Sequence, residues 1–276
     1  GVILRAQALA KQTGRPLTVM TFAPHPLTVF KSDIKNFLIL STEEKLKHIA
    51  GLNVDGVFLV KFDKAFAGVS AENFVSEVLS KQLQVSHVVI GYDFIFGHER
   101  GGNAEFLRQK SREHQFGFSQ VASVGNDQDT YSSSKVREYV KAGKLEEARQ
   151  ILGYPFFISG TVAKGAGKGR TIGFPTANIA LDPVQLRPKR GVYAVNVLID
   201  DEKRIYKGVA NLGVRPTFNK GEELFEVHLF DVDQSLYGKH MKAELVGFVR
   251  DEKKFASIEA LTTQIKCDII TAKEAL

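Results

Sequence analysis

At Tyr154–Pro155 the spacing of apolar residues changes character, and its two sides call for different layer architectures. Before it, residues 17–22, 54–60 and 85–90 are near-continuous apolar runs of strand length, as expected for parallel strands covered on both faces. Between them, residues 42–52 and 71–81 carry apolar side chains at helical spacing, and Ser41 with Glu44 forms a capping-box pattern at the start of the first. Strand, helix, strand in succession predicts a doubly wound α/β domain over residues 1–153. After it, residues 156–163, 191–199, 205–211, 224–230 and 241–249 are strand-like and separated by Gly, Pro and charged turns. They predict an all-β domain over residues 154–276, an antiparallel barrel or sandwich. From Asp251 the pattern turns helical, with Phe255, Ile258, Leu261 and Ile265 on one face, so a terminal helix is expected to pack on that domain.

The 276 residues suffice for two cores, and 43% hydrophobic with 25% charged residues exclude a disordered or fibrous chain. A net charge of +6 favours acidic ligands without choosing between a nucleotide and a nucleic acid, and solvated Lys and Arg spread along the chain explain it equally. Cys267 is the single cysteine, which excludes an intramolecular disulfide and suits a reducing, cytoplasmic setting. No apolar stretch approaches the roughly 20 residues of a membrane span, and Arg5 interrupts the first candidate. The sequence opens at Gly1 directly into helix-like residues 2–12, so a further N-terminal segment is expected before it.

The densest chemistry lies in KGAGKGRTIGFPTAN, residues 164–178. Gly165, Gly167 and Gly169 alternate after a strand, where bare backbone can bring N–H groups close to an anion. Lys168 and Arg170 add positive charge, and Thr176 with Asn178, two apart, can offer neutral oxygens to Mg²⁺ and a nucleotide. Glycines alone describe a flexible hairpin equally well; GFPTAN is what favours phosphate. In Phe225-Glu226-Val227-His228-Leu229, alternation puts Glu226 and His228 on the face opposite the apolar residues. A carboxylate on a rigid strand can act as general base, although a solvent-facing Glu on an amphipathic strand gives the same pattern.

The motifs GRTIGFPTAN (169–178), GVYAV (191–195), GVANLGVRPTF (208–218), EVHLFD (226–231), LYG (236–238) and FVRDEKKF (248–255) occur in this order. Together they resemble the riboflavin kinase domain of the bacterial bifunctional riboflavin kinase/FMN adenylyltransferase family. The resemblance implies a small β-barrel that phosphorylates riboflavin, with Thr176 and Asn178 holding Mg-ATP and Glu226 activating the ribityl 5′-hydroxyl. It also places Arg250 and Phe255 in the region that closes over the flavin.

The first half resembles the same family's adenylyltransferase, a nucleotidyltransferase-like domain that converts FMN and ATP to FAD and pyrophosphate. The matching pieces are TFAPHP (21–26), STEEK (41–45), GYDFIFGHERGG (91–102) and SSSKVRE (132–138). The implied site residues are Phe22, His25, Gly91, Asp93, Phe94, Phe96, Arg100, Ser133, Ser134 and Arg137. Physically, Phe22, Phe94 and Phe96 can enclose a planar ring or pack in a core, and Ser133, Ser134 and Arg137 can meet phosphates or simply cap a helix. His25, between two prolines, is tied by the resemblance to the flavin side of the site or serves as a turn residue.

Two departures stand out. The family's HxGH-type loop, which acts on the α-phosphate, does not occur here; its place is before Gly1, and a polypeptide without it is expected to lose adenylyl transfer while keeping the kinase. Lys135 stands where arginine is more usual, keeping the charge but not the bidentate fork. Riboflavin, FMN, FAD and ATP are thus the expected ligands, with neither nucleic acid nor membrane as partner. Two competing readings make the barrel a flavin sensor on another nucleotidyltransferase, or a basic single-strand nucleic-acid platform.

Overall fold

The computed structural model describes residues 1–31, 33–125, 130–165, 167–200, 202–214, 223–232 and 234–276, with all their side chains except that of Lys168. They form two compact units, Gly1–Ile34 with Leu40–Tyr131, and Lys35–Ile39 with Ser132–Leu276.

In the first unit α1 (Val2–Thr13) precedes β1 (Thr18–Ala23), which pairs in parallel with β2 (Gly56–Lys61) from Thr18↔Gly56 to Ala23↔Lys61. Between those strands lie α2 (Pro26–Phe30) and α3 (Thr42–Ala50). The Ser41 hydroxyl accepts the Glu44 N–H at 3.1 Å, as the capping pattern predicts. After β2 come α4 (Lys64–Ala67) and α5 (Ala71–Asn73), the latter continuing as a π-helix, Phe74–Gln82. Its wide turn brings Phe74, Val75 and Leu79 into the core together with Leu107 of α6 (Ala104–Glu113). β3 (His87–Gly91) pairs in parallel with β4 (Gly117–Val121), a strand the apolar runs did not reveal because it carries only Phe118 and Val121 as large apolar residues.

The parallel α/β character holds, but among the described residues the strands form two separate pairs and not one wound sheet. For that reason β2 is not covered on both faces: Phe58 and Leu59 remain 41% and 44% exposed.

The second unit opens with α7 (Ser133–Ala142) and α8 (Leu145–Leu152), which add Val136, Val140, Leu145 and Ala148 to the core beneath the barrel. The change of pattern at Tyr154–Pro155 therefore falls inside this unit. Its barrel is closed and six-stranded: β5 (Phe157–Ala163), β6 (Ala177–Ile179), β7 (Gly191–Ile199), β8 (Tyr206–Val214), β9 (Glu223–Leu229) and β10 (His240–Arg250), in the order β10-β5-β6-β9-β8-β7 with every pairing antiparallel. The short β6 escaped the sequence pattern because three residues are too few to show alternation.

Alternation fills the interior. Tyr193, Val195, Val197 and Ile199 of β7, Leu212 of β8 and Phe225 of β9 are all fully buried. Val192, Ala194 and Val209, on the outer face, are covered by Ala272 and Ile269 of the terminal helix α10 (Ile258–Ala275). That helix starts later than the apolar spacing suggests, because the Ser257 hydroxyl caps it by accepting the Ala260 N–H. The connection between β5 and β6 contains one helical turn, α9 (Lys168–Thr171).

Candidate active sites

The outer face of the barrel brings the sequence-predicted kinase residues together. Asn178 of β6 stands opposite Glu226 of β9, and Glu226 stands opposite Asn211 of β8, so one polar row crosses three neighbouring strands. Residues directly opposite on antiparallel strands leave the same face, with Cβ atoms about 4.5–5.5 Å apart. Phe225 and Val227 on either side of Glu226 point inward and are buried, which fixes the outward direction of the carboxylate. Asn178 is 9% exposed despite its outward register, because the glycine loop lies on it. A Cβ at Gly165 would overlap the Asn178 amide, and one at Gly169 would overlap the Phe174 carbonyl and stand 3.3 Å from Thr176 Oγ1. Gly165 and Gly169 thus allow a backbone approach that a side chain would block.

Gly167 caps the turn with φ +71°, a left-handed conformation that favours glycine. The expected cradle of N–H donors takes a different form here. The N–H groups of Arg170, Ile172, Gly173 and Phe174 donate to carbonyls within the loop, closing it on itself. The Arg170 side chain is exposed and lines a small cavity with Pro175 and Thr176; Ser235, Leu236 and Tyr237 close the other side, which gives the LYG motif its place.

His228 ties the two halves of the site. Its Nδ1 donates to the Pro175 carbonyl at 2.8 Å, and its ring meets Phe174 edge-on with centroids 5.7 Å apart. Sequence alternation had already put His228 beside Glu226, but nothing in the strand pattern pointed to GFPTAN as its partner. Arg250 is engaged elsewhere. Its Nε and Nη2 donate to the two carboxylate oxygens of Asp268 at 2.8 and 2.7 Å, and Nη1 donates to the Asp251 carbonyl. The guanidinium also lies 5.7 Å from the Phe255 ring centroid. Arg250 therefore fastens α10, and the segment leading to it, onto the end of β10. Within GVANLGVRPTF, Arg215 to Phe218 lie outside the described residues.

In the first unit, the predicted adenylyltransferase residues follow the carboxyl ends of parallel strands, where α/β folds place ligands. Phe22 lies near the end of β1, and His25 caps α2, its Nδ1 accepting the Leu27 N–H at 3.2 Å. With Nδ1 an acceptor, the neutral ring carries its hydrogen on Nε2. Gly91 ends β3, and exposed Asp93 and half-buried Phe94 and Phe96 follow. The phenylalanines pack on one another: Phe22 contacts Phe66, Phe66 contacts Phe74, Phe74 contacts Phe96, and Phe96 stacks on Phe94 with centroids 5.4 Å apart.

Gly97 lies so close to Ala71 that a Cβ would stand 2.7 Å from its Cα, and exposed Arg100 follows Glu99, both with positive φ (61° and 53°). From STEEK, the Lys45 ammonium donates to the Phe22 carbonyl at 2.8 Å, and burial pulls its pKa below the ordinary lysine range.

Ser133 and Ser134 stand in the second unit, exposed in the first turn of α7, and the hydroxyl that caps the helix belongs to Ser132. Arg137 donates through Nε to the Phe37 carbonyl at 2.8 Å and lies 3.9 Å from the centre of the Phe37 ring. Burial lowers its pKa. Its side chain pins residues 35–39 onto the second unit.

The chain thus carries a closed six-stranded barrel, with a glycine loop folded over a strand-borne amide that stands opposite a carboxylate, and a parallel α/β unit. Comparison with known proteins makes the class specific. Residues 152–276 match the family described as Riboflavin kinase, and residues 1–135 match FAD synthetase. The chain is 40% identical over 268 residues to the bifunctional riboflavin kinase/FMN adenylyltransferase of Escherichia coli K12, covering 97% of this chain and 85% of that protein. It is 37% identical over 271 residues to the Bacillus subtilis enzyme of the same description, covering 97% and 84%. A crystal structure described as a macrolide-efflux protein from Streptococcus pneumoniae superposes with a TM-score of 0.85 at 30% identity, covering 97% of this chain and 86% of that one. Among the described residues no helix is long and apolar enough to cross a membrane.

The chain belongs to the bifunctional riboflavin kinase/FMN adenylyltransferase family. It is an ATP-using enzyme of FAD biosynthesis, acting on riboflavin and FMN.

Proposed function

We propose that phosphorylation of riboflavin takes place on the outer face of the barrel, at the row Asn178–Glu226, and that residues 154–276 form the kinase domain. The observation that carries this reading is the cross-strand opposition of Glu226 and Asn178, the latter lying beneath the backbone of Gly165. Thr176 and Asn178 present neutral oxygens next to bare glycine backbone, a donor set that suits a hard cation bearing phosphates. They would hold Mg²⁺, which when bound supplies positive charge to the β- and γ-phosphate oxygens. Gly165, Gly167 and Gly169 give the triphosphate a surface without side chains, and Arg170 adds charge at the edge of the cavity.

Glu226 accepts the proton of the ribityl 5′-hydroxyl as that oxygen attacks the γ-phosphorus; the bond to the β-phosphate oxygen breaks, leaving FMN and ADP. Phosphoryl transfer of this kind is mainly placement and charge stabilisation, and a general base contributes about 10²- to 10⁴-fold in rate. Arg250, through Asp268, and Phe255 hold the segment that borders the flavin.

For adenylyl transfer to FMN, with pyrophosphate leaving, we assign binding to Phe22, His25, Gly91, Asp93, Phe94, Phe96 and Arg100 of residues 1–153. In the same range, Ser133 and Ser134 meet phosphate at the start of α7, with Arg137 supporting them through its hold on Phe37. A Mg²⁺ titration of FMN synthesis tests the kinase assignment: Thr176→Ala and Asn178→Ala should each raise the concentration needed for half-maximal rate. An unchanged titration curve in both variants would remove them from the metal site.

A further inference from the structure

The β6–β9 ladder stops one residue short of Thr176. Its last pair at that end is Ala177↔Val227, so Thr176 falls opposite His228 and, by alternation, on the outward face of Asn178 and Glu226. Pro175 has no N–H and cannot carry the ladder further. It keeps only a carbonyl for a hydrogen bond, and that carbonyl is the one His228 Nδ1 meets at 2.8 Å. A carbonyl only accepts, so Nδ1 carries the hydrogen.

The imidazole that makes this bond is steadied on two sides. Phe174 meets it edge-on with centroids 5.7 Å apart, and Phe230 does so at 6.1 Å. Phe230 is itself packed against Val192, Ala194, Val209 and Ala272, with the Lys273 ammonium of α10 5.1 Å from its ring centre. Before Pro175, the Phe174 N–H donates to the Gly169 carbonyl at 2.8 Å. Thr176 is therefore held by the ladder on its C-terminal side, and by the glycine loop and one imidazole on its N-terminal side.

We infer that His228 is a positioning residue of the kinase: through the Pro175 carbonyl it keeps Thr176 in place for the Mg²⁺ that bears the triphosphate. It supplies from a side chain the cross-strand bond that a proline backbone cannot make. The inference rests on Thr176 belonging to the metal site.

Mg²⁺ titrations of FMN synthesis at fixed ATP on the full chain test it, with His228→Ala, His228→Asn, His228→Gln, Thr176→Ala and the Thr176→Ala/His228→Ala double variant, each checked for thermal unfolding. His228→Ala should raise the half-maximal Mg²⁺ concentration roughly 5- to 10-fold, the size set by one lost hydrogen bond, with KM for riboflavin unchanged. Asparagine puts an N–H where Nδ1 stands, whereas glutamine carries its own one atom further out. His228→Asn should therefore return the midpoint towards that of the wild-type protein, and His228→Gln should resemble His228→Ala. In the Thr176→Ala background the loss of His228 should shift the midpoint no further, because residues acting as a unit are not additive. A wild-type midpoint in His228→Ala, an asparagine variant as impaired as the alanine one, or an equal shift in both backgrounds overturns the inference. If Thr176→Ala leaves the midpoint unchanged, the metal-site reading fails and takes the inference with it, a result distinct from those three.

Discussion

Asn178 and Glu226 face each other across the β6–β9 ladder, one strand carrying the end of the GFPTAN motif and the other the E-V-H motif. Their spacing is set by backbone hydrogen bonds and by the buried residues on either side, Ala177, Ile179, Phe225 and Val227, and not by a loop. Groups mounted this way hold position without help from the ligand, so changes at this pair should alter the chemistry more than the fold.

Gly165→Ala separates these two effects. The added methyl meets the Asn178 amide, the end of a short side chain that can rotate away. Melting temperature should therefore change little, while kcat/KM for ATP falls at least about tenfold as Asn178 leaves its place. Calorimetry and ATP-dependent FMN formation on the same preparation check both halves.

The Arg250–Asp268 pair should behave in the opposite way. With side chains 15% and 5% exposed and two parallel hydrogen bonds, this is a buried ion pair. Asp268→Ala leaves Arg250 without its partner and should destabilise the second unit by about 3–5 kcal/mol. Arg250→Lys is not conservative here, since lysine lacks the planar fork. Chemical denaturation reports the loss directly.

Phe225, fully buried beneath Glu226, tests how far the site depends on the core. Phe225→Ala should remove about 3–5 kcal/mol. The protein that remains folded should keep its KM for ATP, because no wall of the site is lost. Denaturant unfolding and kinetics on the folded fraction measure the two quantities.

How much of this was legible in sequence depended on length and locality. The long barrel strands and the outward pair Glu226–His228 followed from period-two alternation, which a closed barrel enforces on every strand. β6 did not follow, having three residues, and neither did β4, with few apolar ones. Two contacts around the proposed kinase site, His228 with Pro175 and Arg250 with Asp268, join residues far apart in sequence or on opposite sides of a turn. Periodicity carries no information about such pairs. Arg137 illustrates the converse: its charge suggested a phosphate, and only the fold shows that it grips Phe37.

Acid should weaken the first unit through His87. Burial lowers its pKa from the ordinary 6.5, with Arg5 contributing, and its Nε2 pairs with Ser119 Oγ at 2.9 Å. The unfolded state then binds more protons than the folded one as pH falls below about 6.5. The contribution of His87 is thus present above that pH and is lost progressively below it. His87→Gln should flatten this part of the stability profile measured by urea unfolding between pH 5 and pH 8, approximate limits chosen to bracket histidine titration.

The most direct test incubates the protein with riboflavin, ATP and Mg²⁺ and separates riboflavin, FMN and FAD by chromatography, alongside Glu226→Gln. FMN should form with the wild-type protein, and its rate should fall about 10²- to 10⁴-fold in the variant while the variant stays folded. Riboflavin left unchanged by folded wild-type protein, or FMN formed equally fast by Glu226→Gln, would contradict the kinase site described above.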